Sequence, residues 1–437
     1  MLVMWKSRQI LAPVLALLAA TSMWYYVRRI SVPHQVTEGA RLERPRGNLS
    51  DLYPRWLGAR ELLLHGRDPY SPAVTREIQQ GYYGRELDPS RPNDPRDQSG
   101  FAYPVYVVFL LAPTVFMTFA TVKVVSFWFL TVCTVVSVLL WEKSLDIPFS
   151  RWRTLTTVLL LLGSYPLIEG VSLQQPILLV ALLLAGSCVA RQTGWLVSSG
   201  VLLAVATIKP QVAFLPVAVM LLWVSADWRA RQRWFWGFAS MMAVWLAASE
   251  FVLPGWLFRF YNAVHLYQAY MANTSFLDWL VSPRWSSSVW ILIVLLILYL
   301  AWRVRALNPS APGSRRVFCL ALVAIVCTSP NLALYNQVLL LPGVLFWLDR
   351  APSGAGSLLA RSLSNLLVAL VVWPWFACAT LIGAKMLFGT EGFVQRAWQL
   401  PHYAALSLPV TLLILLLVLP SVTVTSRRTS PVTEKLA

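Results

Sequence analysis

Long apolar windows constrain the fold of this chain more than any other feature of its 437 residues. A helix that crosses a bilayer needs about 20 mainly apolar residues, and such windows follow one another along the sequence. They are Ile10–Tyr26, Tyr103–Ala120, Val124–Trp141, Leu155–Ile168, Ile177–Ala190, Trp195–Trp223, Trp234–Leu253, Ser288–Trp302, Val317–Cys327, Val338–Leu348, Leu363–Met386 and Tyr403–Leu419. With 57% hydrophobic and 13% charged residues, the composition excludes a soluble domain. We predict an all-α polytopic membrane protein with about twelve transmembrane helices.

Several of these windows are shorter than the ~17 residues that an upright span needs. Some helices are therefore expected to be broken or to end inside the membrane, where unpaired backbone is tolerated only around a cavity. The number of spans in 101–225 stays open. If 101–141 crosses twice, Arg151 and Arg153 lie outside; if it crosses once, they lie inside and Trp195–Trp223 splits at Lys209-Pro210. The charge rule favours the second arrangement, and the window count favours the first.

The net charge of +17 is concentrated at the ends of the predicted spans and predicts the topology. Arginine clusters mark cytoplasmic ends by the positive-inside rule; they are Arg229/Arg231/Arg233, Arg303/Arg305/Arg315/Arg316, Arg350 and Arg427/Arg428. This rule places Asn331 and the segment 254–284 outside. The long loop 30–100 can also lie outside, because long loops translocate regardless of charge. We predict one integral-membrane domain, 1–437, with an extracytoplasmic first loop, 30–100, and a cytoplasmic tail, 421–437. A nucleic-acid partner is not expected, because the charges flank membrane segments and form no continuous stripe.

Cysteine and histidine positions indicate neither a disulfide framework nor a metal site. The five cysteines lie in or beside apolar windows without a CxxC pair, and the four histidines are scattered, which is unlike a zinc site. We therefore predict no metal and no cofactor. The first apolar stretch is followed by Arg28 and Arg29 and not by a small-residue cleavage site, so we interpret it as a retained span.

The first loop carries one carboxylate, Asp51, in a position that suits chemistry at a bilayer surface. Asp51 precedes the partly apolar stretch Leu52–His65, which Gly66 ends, and this pattern predicts a short interfacial helix. On spacing alone, Asp51 is typical of a helix N-cap. A transferase that uses a lipid-phosphate donor also needs a carboxylate to accept the proton of the incoming hydroxyl. The two roles are compatible if Ser50 caps the helix. The proline-rich stretch Asp88–Gly100 is expected to lack fixed structure.

Three further charged residues are candidates for contact with a substrate. Lys209 interrupts an apolar window directly before a proline, where a charge costs ~2.5–3.5 kcal/mol on insertion scales. It therefore faces a cavity and a lipid phosphate, or it snorkels to the interface. Arg259 lies in an aromatic-rich interfacial segment and offers a planar donor fork for a phosphate. Glu169 is either a ligand of sugar hydroxyls or an interfacial charge, and the second interpretation is favoured.

The order of short motifs along the chain is more specific than any one of them. The motifs are Asp51-Leu52-Tyr53, Gly66-Arg67-Asp68-Pro69-Tyr70, Phe101-Ala102-Tyr103-Pro104, Gln174-Gln175-Pro176, Ile208-Lys209-Pro210-Gln211 and Ser329-Pro330-Asn331. In this order, over residues 10–350, the chain resembles glycosyltransferase family 87, membrane mannosyltransferase-like proteins of the GT-C class. The resemblance implies a GT-C-like fold and an inverting transferase. The enzyme would move a mannose-like hexose from a polyprenyl-phosphate sugar to a lipid or glycan acceptor.

The resemblance also implies roles for individual residues. Asp51 takes the position of the catalytic base, Lys209 lies near the donor phosphate, and Tyr70 and Tyr103 shape the cavity. The remaining predicted substrate-binding residues are Gln175, Glu169, Arg259, Asn331 and Asn336. Three positions depart from the family pattern. Tyr103-Pro104-Val105 replaces Tyr-Pro-Pro, Gln174-Gln175 replaces Gly-Gln, and Leu334-Tyr335-Asn336 lacks the usual histidine or aspartate, which leaves Asn336 as a neutral substitute.

We therefore expect an integral protein of a bacterial plasma membrane, with its active site on the extracytoplasmic side of the bilayer. The alternative is a lipid or glycan flippase or transporter, because broken helices and a membrane-embedded lysine also line transport pathways. Two features of the sequence oppose that alternative. No inverted repeat is visible, and the first loop is longer than alternating access needs.

Overall fold

A computed structural model of the chain describes residues 2–42, 50–88, 90–95, 97–270, 278, 281–328, 333–350, 358–389 and 392–418. Throughout these residues the regular structure is helical and no strand occurs. The α-helices are α1 (Leu2–Tyr26), α2 (Val32–Arg41), α3 (Leu52–His65), α4 (Pro72–Tyr83), α5 (Val107–Leu111), α6 (Phe119–Ser144), α7 (Arg151–Leu162), α8 (Tyr165–Ser172), α9 (Ile177–Gln192), α10 (Leu196–Ala206), α11 (Pro210–Ser225), α12 (Trp228–Val252), α13 (Trp256–Tyr270), α14 (Pro283–Val304), α15 (Pro312–Thr328), α16 (Leu341–Arg350), α17 (Leu358–Phe388), α18 (Phe393–Ala397) and α19 (Ala404–Val418). The all-α prediction is confirmed.

Shorter irregular helices complete the described part of the chain. A π-helical turn, Val27–Ser31, joins α1 to α2, and 3-10 helices occupy Ala112–Thr114, Leu334–Leu340 and Leu400–His402. Side-chain caps decide where several α-helices begin, because a hydroxyl or carboxylate oxygen accepts an otherwise unpaired backbone N–H. The capping residues are Ser71 for α4, Thr118 for α6, Ser164 for α8 and Asp227 for α12.

Six helical segments within the described residues are long and apolar enough to cross a membrane. They are Ile10–Arg41, Phe119–Ser144, Trp228–Val252, Arg284–Val304, Leu358–Phe388 and Val394–Val418. The pair α7 and α8, bent by 61°, adds a seventh if the two form one broken span. Helices α9, α10 and α11 are apolar but shorter. These helices indicate an integral membrane protein, whereas the predicted total of about twelve spans is not confirmed.

The segment 101–225 has two features of the second predicted arrangement, and the side on which Arg151 and Arg153 lie stays a prediction. The window Tyr103–Ala120 contains only the five-residue α5 and a 3-10 turn before α6 begins; Pro104 and Pro113 remove backbone donors that a continuous helix would need. Within 101–141, only α6 is long enough to span. The predicted break at Lys209-Pro210 is present, because α10 ends at Ala206 and α11 begins at Pro210.

The helices around the break pack closely through small residues. Gly200 on α10 and Gly237 on α12 face each other's helix, and a Cβ atom on either would collide with backbone of the other. Because glycine has no Cβ atom, the backbones of two apolar helices can come into contact at such positions. Helix α10 also packs against α9. The close packing of α9, α10 and α12 fixes the segment that carries Lys209.

The first loop folds onto the bundle through α3 and α4. Helix α3 has the predicted bounds, and Gly66 ends it with a left-handed φ of 63°. The indole of Trp56 donates to the carbonyl of Thr114 at 3.1 Å, and Phe101 packs directly on Gly58. These contacts bury one side of α3, so its N-terminal residue, Asp51, has a defined position against the bundle.

Candidate active site

Asp51 lies at the N-terminal end of α3 and is partly buried. It occupies the N-cap position, but its side chain makes no capping hydrogen bond. Its carboxylate Oδ2 instead accepts from the side-chain amide of Gln175, and its backbone N–H donates to Leu173 O at 3.1 Å. The structure therefore does not support the capping interpretation of this carboxylate, which faces the turn between α8 and α9.

Gln174 and Gln175 form that turn, and Gln174 holds it in an unusual backbone conformation. Its φ of 50° lies in the left-handed region, which glycine tolerates and other residues rarely adopt. The buried side chain of Gln174 donates to Val171 O at 2.7 Å and to Ser172 O at 2.8 Å. The hydroxyl of Ser50 donates to its Oε1 at 2.5 Å. These bonds offset the backbone strain and direct Gln175 at Asp51.

Arg55 is a second feature of the site, and sequence reasoning missed it. It lies one helical turn after Asp51, its Nε donates to Asp51 O at 2.9 Å, and only 2% of the residue is exposed. Its Cζ is 4.8 Å from the ring centroid of Tyr103. Its Nη2 has no hydrogen-bond partner among the described residues. The i, i+4 spacing from Asp51 was the available signal, because it places both residues on one face of α3.

Lys209 lies at the break between α10 and α11, where 8% of the residue is exposed. Its Nζ donates to Asn336 Oδ1 at 2.9 Å and lies 4.8 Å from the ring centroid of Tyr335. The charge of Lys209 acts on Asp51, as does that of Arg55. The structure thus joins Lys209 and Asn336, two of the residues predicted from sequence, by a hydrogen bond.

The environment of Asp51 changes its acidity. Burial raises the pKa of the carboxyl group above its ordinary value; the positive charges of Arg55 and Lys209 and the Gln175 hydrogen bond oppose this rise, and the negative charge of Asp97 adds to it. A carboxylate with a raised pKa is a stronger base, which suits proton abstraction near neutral pH. The balance of burial against two cations is typical of a functional carboxylate.

Glu169 joins α8 to the Lys209 region. Its Oε2 accepts the backbone N–H of Tyr335 at 3.1 Å, and Tyr335 is the residue whose ring lies beside the lysine. No group of three histidine, cysteine, aspartate or glutamate side chains that could hold a metal ion occurs among the described residues. The predicted residue Asn331 lies outside the described part of the chain.

A cavity of about 310 Å³ lies between the first loop and α13. Its lining combines hydroxyl, amide, carboxylate and aromatic side chains, including Tyr70, Asp97, Gln98, Arg259, Asn262 and Tyr267. The hydroxyl of Tyr70, which lines the cavity, donates to Tyr103 O at 2.5 Å. Arg259 forms an ion pair with Asp68, which places it in this cavity and not beside Lys209.

Asp97 was also missed by sequence reasoning. It belongs to the proline-rich stretch, which the structure fixes: the hydroxyl of Tyr83 donates to Asp97 O at 3.1 Å, and the side-chain amide of Gln79 donates to Gln98 O at 3.1 Å. Burial raises the pKa of the Asp97 carboxyl. Its negative charge contributes to the raised pKa of Asp51, and Asp97 also lines the cavity.

A larger groove of about 680 Å³ opens beside α1, α6 and α8. Its outer wall is apolar and aromatic, with Trp24, Val27, Val124, Phe127 and Trp128, and Arg28 and Lys123 also line it. Glu169, Leu173 and Gln174 line it as well. Because Leu173 and Gln174 contact Asp51 and Ser50, this part of the groove lies against the segment that carries the candidate base.

Comparison with protein families gives a match over residues 101–330 to the model of glycosyltransferase family 87, more than half of the chain. The match includes Tyr103, Glu169, Gln175 and Lys209 and begins after Asp51. Comparison with curated proteins gives no match.

Proposed function

Because the chain belongs to glycosyltransferase family 87, we propose that it is an inverting, polyprenyl-phosphate-sugar-dependent membrane hexosyltransferase. It moves a mannose-like hexose to a hydroxyl of a lipid or glycan acceptor at the extracytoplasmic face of the membrane. One observation carries this proposal. Asp51 is a partly buried carboxylate that makes no capping hydrogen bond, and the positive charges of two buried residues, Arg55 and Lys209, stabilise its ionised form.

These groups have the charges that a single displacement needs. Asp51 accepts the proton of the acceptor hydroxyl while the acceptor oxygen forms its bond to the anomeric carbon. The bond from that carbon to the donor phosphate oxygen breaks, and its electron pair leaves with the phosphate. Arg55 and Lys209 stabilise the departing phosphate. One displacement at the anomeric carbon inverts its configuration.

Within the described residues, the hydrogen bonds of Arg55 and Lys209 leave a donor of the first without a partner and the charge of the second unneutralised, and this supports both residues as phosphate ligands. Arg55 retains a buried Nη2 without a partner among the described residues, and a buried unpaired donor is costly. Lys209 donates to a neutral amide, Asn336, so its charge is not neutralised by that bond. A phosphate oxygen satisfies both conditions, because it is an acceptor that carries negative charge.

The linings of the two concave surfaces suit the two substrates. The groove of about 680 Å³ has an apolar aromatic wall that suits a polyprenyl chain. The cavity of about 310 Å³ has hydrogen-bonding side chains, including Asn262 and Gln98, for acceptor hydroxyls. We assign the groove to the donor and the smaller cavity to the acceptor.

The alternative function, a lipid or glycan flippase or transporter, gains no support from the described contacts. The buried cations and the carboxylate are explained by the chemistry of glycosyl transfer. The motif order and the family also concern glycosyl transfer and not transport.

The donor class is tested with membranes that contain the protein and with matched membranes that lack it. Each is incubated with radiolabelled polyprenyl-phosphate mannose, glucose or arabinose, or with the corresponding nucleotide sugars, and with a lipid extract as acceptor. We expect protein-dependent transfer from one of the polyprenyl-phosphate sugars and none from the nucleotide sugars, because no soluble α/β domain is predicted to bind a nucleotide. Transfer from nucleotide sugars alone would contradict the proposed donor class.

A further inference from the structure

A cluster of arginine side chains lies far from the candidate active site. It is near the C-terminal ends of α9 and α11, two helices whose N-terminal ends are at that site. Helix α9 begins two residues after Gln175 and carries Arg191 near its C-terminal end. Helix α11 begins directly after Lys209 and carries Trp223 near its C-terminal end. At about 1.5 Å per residue, each helix separates the two regions by about 20 Å. The arginine cluster is therefore a separate place in the fold.

Two guanidinium groups of this cluster lie on one indole ring. The Cζ of Arg191 is 5.4 Å and that of Arg231 is 4.5 Å from the ring centroid of Trp223. Arg231 is satisfied by backbone, since its Nη1 donates to Trp223 O at 2.6 Å and to Arg305 O at 2.8 Å. The charge of Arg315 also acts on Arg191. Several positive charges thus meet at this end of the bundle.

The cluster contains an unusual concentration of unpaired donors. Nine buried side-chain nitrogen and oxygen atoms lack a hydrogen-bond partner among the described residues, and four of them are here. They are Arg191 Nε, Trp223 Nε1, Arg315 Nε and Arg350 Nη1. All four are N–H donors, so a group that satisfied them must be an acceptor.

Arg315 and Arg350 each form a long ion pair with a carboxylate, and Arg315 Nη1 donates to Leu145 O at 2.9 Å, but none of these contacts is a hydrogen bond from one of the unpaired nitrogens. Asp146 is 3.7 Å from Arg315, but its side chain is 83% exposed. Asp349 is 3.9 Å from Arg350, and no described carboxylate forms an ion pair with Arg191. Only 4% of Arg191 and 7% of Arg315 is exposed. A guanidinium group keeps its charge in proteins and is costly to bury without a partner.

The length of α9 indicates where an anion would come from. Its 16 residues span about 24 Å, which is less than the ~30 Å of a hydrocarbon core. With the N-terminal end of α9 near one membrane surface, the helix is too short for Arg191, near its C-terminal end, to lie beyond the lipid head groups of the other surface. Arginine is the side chain best suited to phosphate, because its planar fork donates two parallel hydrogen bonds.

We propose that Arg191, Arg315 and Arg350 bind a phosphate group at the end of the bundle opposite Asp51. The phosphate belongs to a membrane lipid or is free in solution, and in both cases it satisfies the unpaired donors around Trp223. By the positive-inside rule this end is cytoplasmic. The site is distinct from the donor groove, which lies beside α1, α6 and α8.

The test measures ligand binding and thermal unfolding of the purified full-length protein, delipidated in an uncharged detergent. Phosphatidylglycerol in mixed micelles and inorganic phosphate are titrated separately, and retained lipid is counted by native mass spectrometry. Two variants are compared with the wild type. Arg191→Met removes the unpaired buried charge but keeps an apolar side chain, and Arg229→Met removes an exposed arginine from the same end as a matched control.

We expect phosphatidylglycerol, inorganic phosphate or both to raise the unfolding temperature of the wild type and of Arg229→Met. In Arg191→Met we expect binding about tenfold weaker or worse, since one charge-assisted bidentate contact is lost. Without ligand, Arg191→Met should unfold no earlier than the wild type, because an unpaired buried charge is gone; its lost response is then not a folding defect.

The two ligands identify the source of the phosphate. A response to phosphatidylglycerol alone assigns the site to a lipid head group, and a response to inorganic phosphate shows that a free anion suffices. An unresponsive wild type overturns the proposal, and so does an Arg191→Met variant that binds as well as the wild type. None of these readouts uses glycosyl transfer, so the result is independent of the proposed enzymatic function.

Discussion

Gln174 provides the sharpest test of how the fold positions the candidate base. Its left-handed φ of 50° costs about 1–2 kcal/mol for a residue with a Cβ atom. Three side-chain hydrogen bonds to Val171, Ser172 and Ser50 return about 0.5–1.5 kcal/mol each. The hydrogen bonds of the Gln174 side chain therefore offset the backbone strain. Replacing Gln174 by glycine and by alanine separates the contribution of these bonds from that of the strain.

Gln174→Gly and Gln174→Ala lose the same three hydrogen bonds but differ in backbone strain. Glycine adopts the left-handed turn freely, whereas alanine keeps the strain and has no bonds to offset it. We expect both variants to be less stable than the wild type, and the alanine variant to be the worse by about 1 kcal/mol. The glycine variant should also keep more transferase activity than the alanine variant, because glycine adopts the left-handed turn before Gln175 without strain.

Thermal unfolding in detergent and initial rates of transfer measure these two orders. The expected order is wild type, then Gln174→Gly, then Gln174→Ala, for both stability and rate. Gln192→Ala is a control, since this glutamine lies at the far end of α9 and donates to Ser144 O at 2.7 Å. An alanine variant at position 174 that matches or exceeds the glycine variant would show that backbone strain does not shape this turn.

Further predictions concern the chemistry of the site. On acidification, transfer should fall at a pH above the ~3.9 of an ordinary aspartate, because the pKa of Asp51 is raised and its protonated form cannot accept a proton. A pH profile of kcat measures this fall. A profile that stays flat down to pH ~3.9 contradicts it. Arg55→Gln should lower single-turnover transfer about 10²–10³-fold and Arg55→Lys less, since charge at the departing phosphate is lost in the first and kept in the second; equal rates contradict the role. Lys209→Met should weaken donor binding about tenfold or more, seen as a raised KM for the donor at unchanged KM for the acceptor. Asn262→Ala should raise the KM for the acceptor and leave the KM for the donor unchanged. A rise in the KM for the donor alone would show that the cavity binds the donor and not the acceptor.

The sequence predicted the local structure around the site because short-range chemistry controls it. Helix α3 ends where Gly66 supplies a left-handed residue, and α11 begins where Pro210 breaks the chain after Lys209. The cost of Lys209 in an apolar window left two alternatives, a cavity-facing side chain or one that snorkels to the interface, and the structure buries it. The two helix boundaries depend on neighbours within a few residues, so periodicity and turn chemistry were sufficient.

Long-range packing determined what the sequence did not reveal. Hydropathy marked Tyr103–Ala120 as a span, although its prolines leave only short helical turns. The burial of Arg55 depends on Tyr103, 48 positions away. Arg259 was assigned to the donor phosphate from its chemistry alone, whereas its partner Asp68 is 191 positions distant. Asp97 lies in a stretch whose composition indicates no fixed structure, and tyrosine and glutamine side chains of α4 hold that stretch in place.

The role of Asp51 as the catalytic base is tested most directly by single-turnover transfer with purified Asp51→Asn. The asparagine keeps the size of the side chain and a hydrogen-bonding partner for Gln175 but cannot accept the proton. Asp88→Asn serves as the control, because it changes another carboxylate of the same loop. We predict that Asp51→Asn binds the donor normally and transfers about 10²–10⁴-fold more slowly, while the control is unaffected. Transfer by Asp51→Asn at the wild-type rate would remove Asp51 from the mechanism.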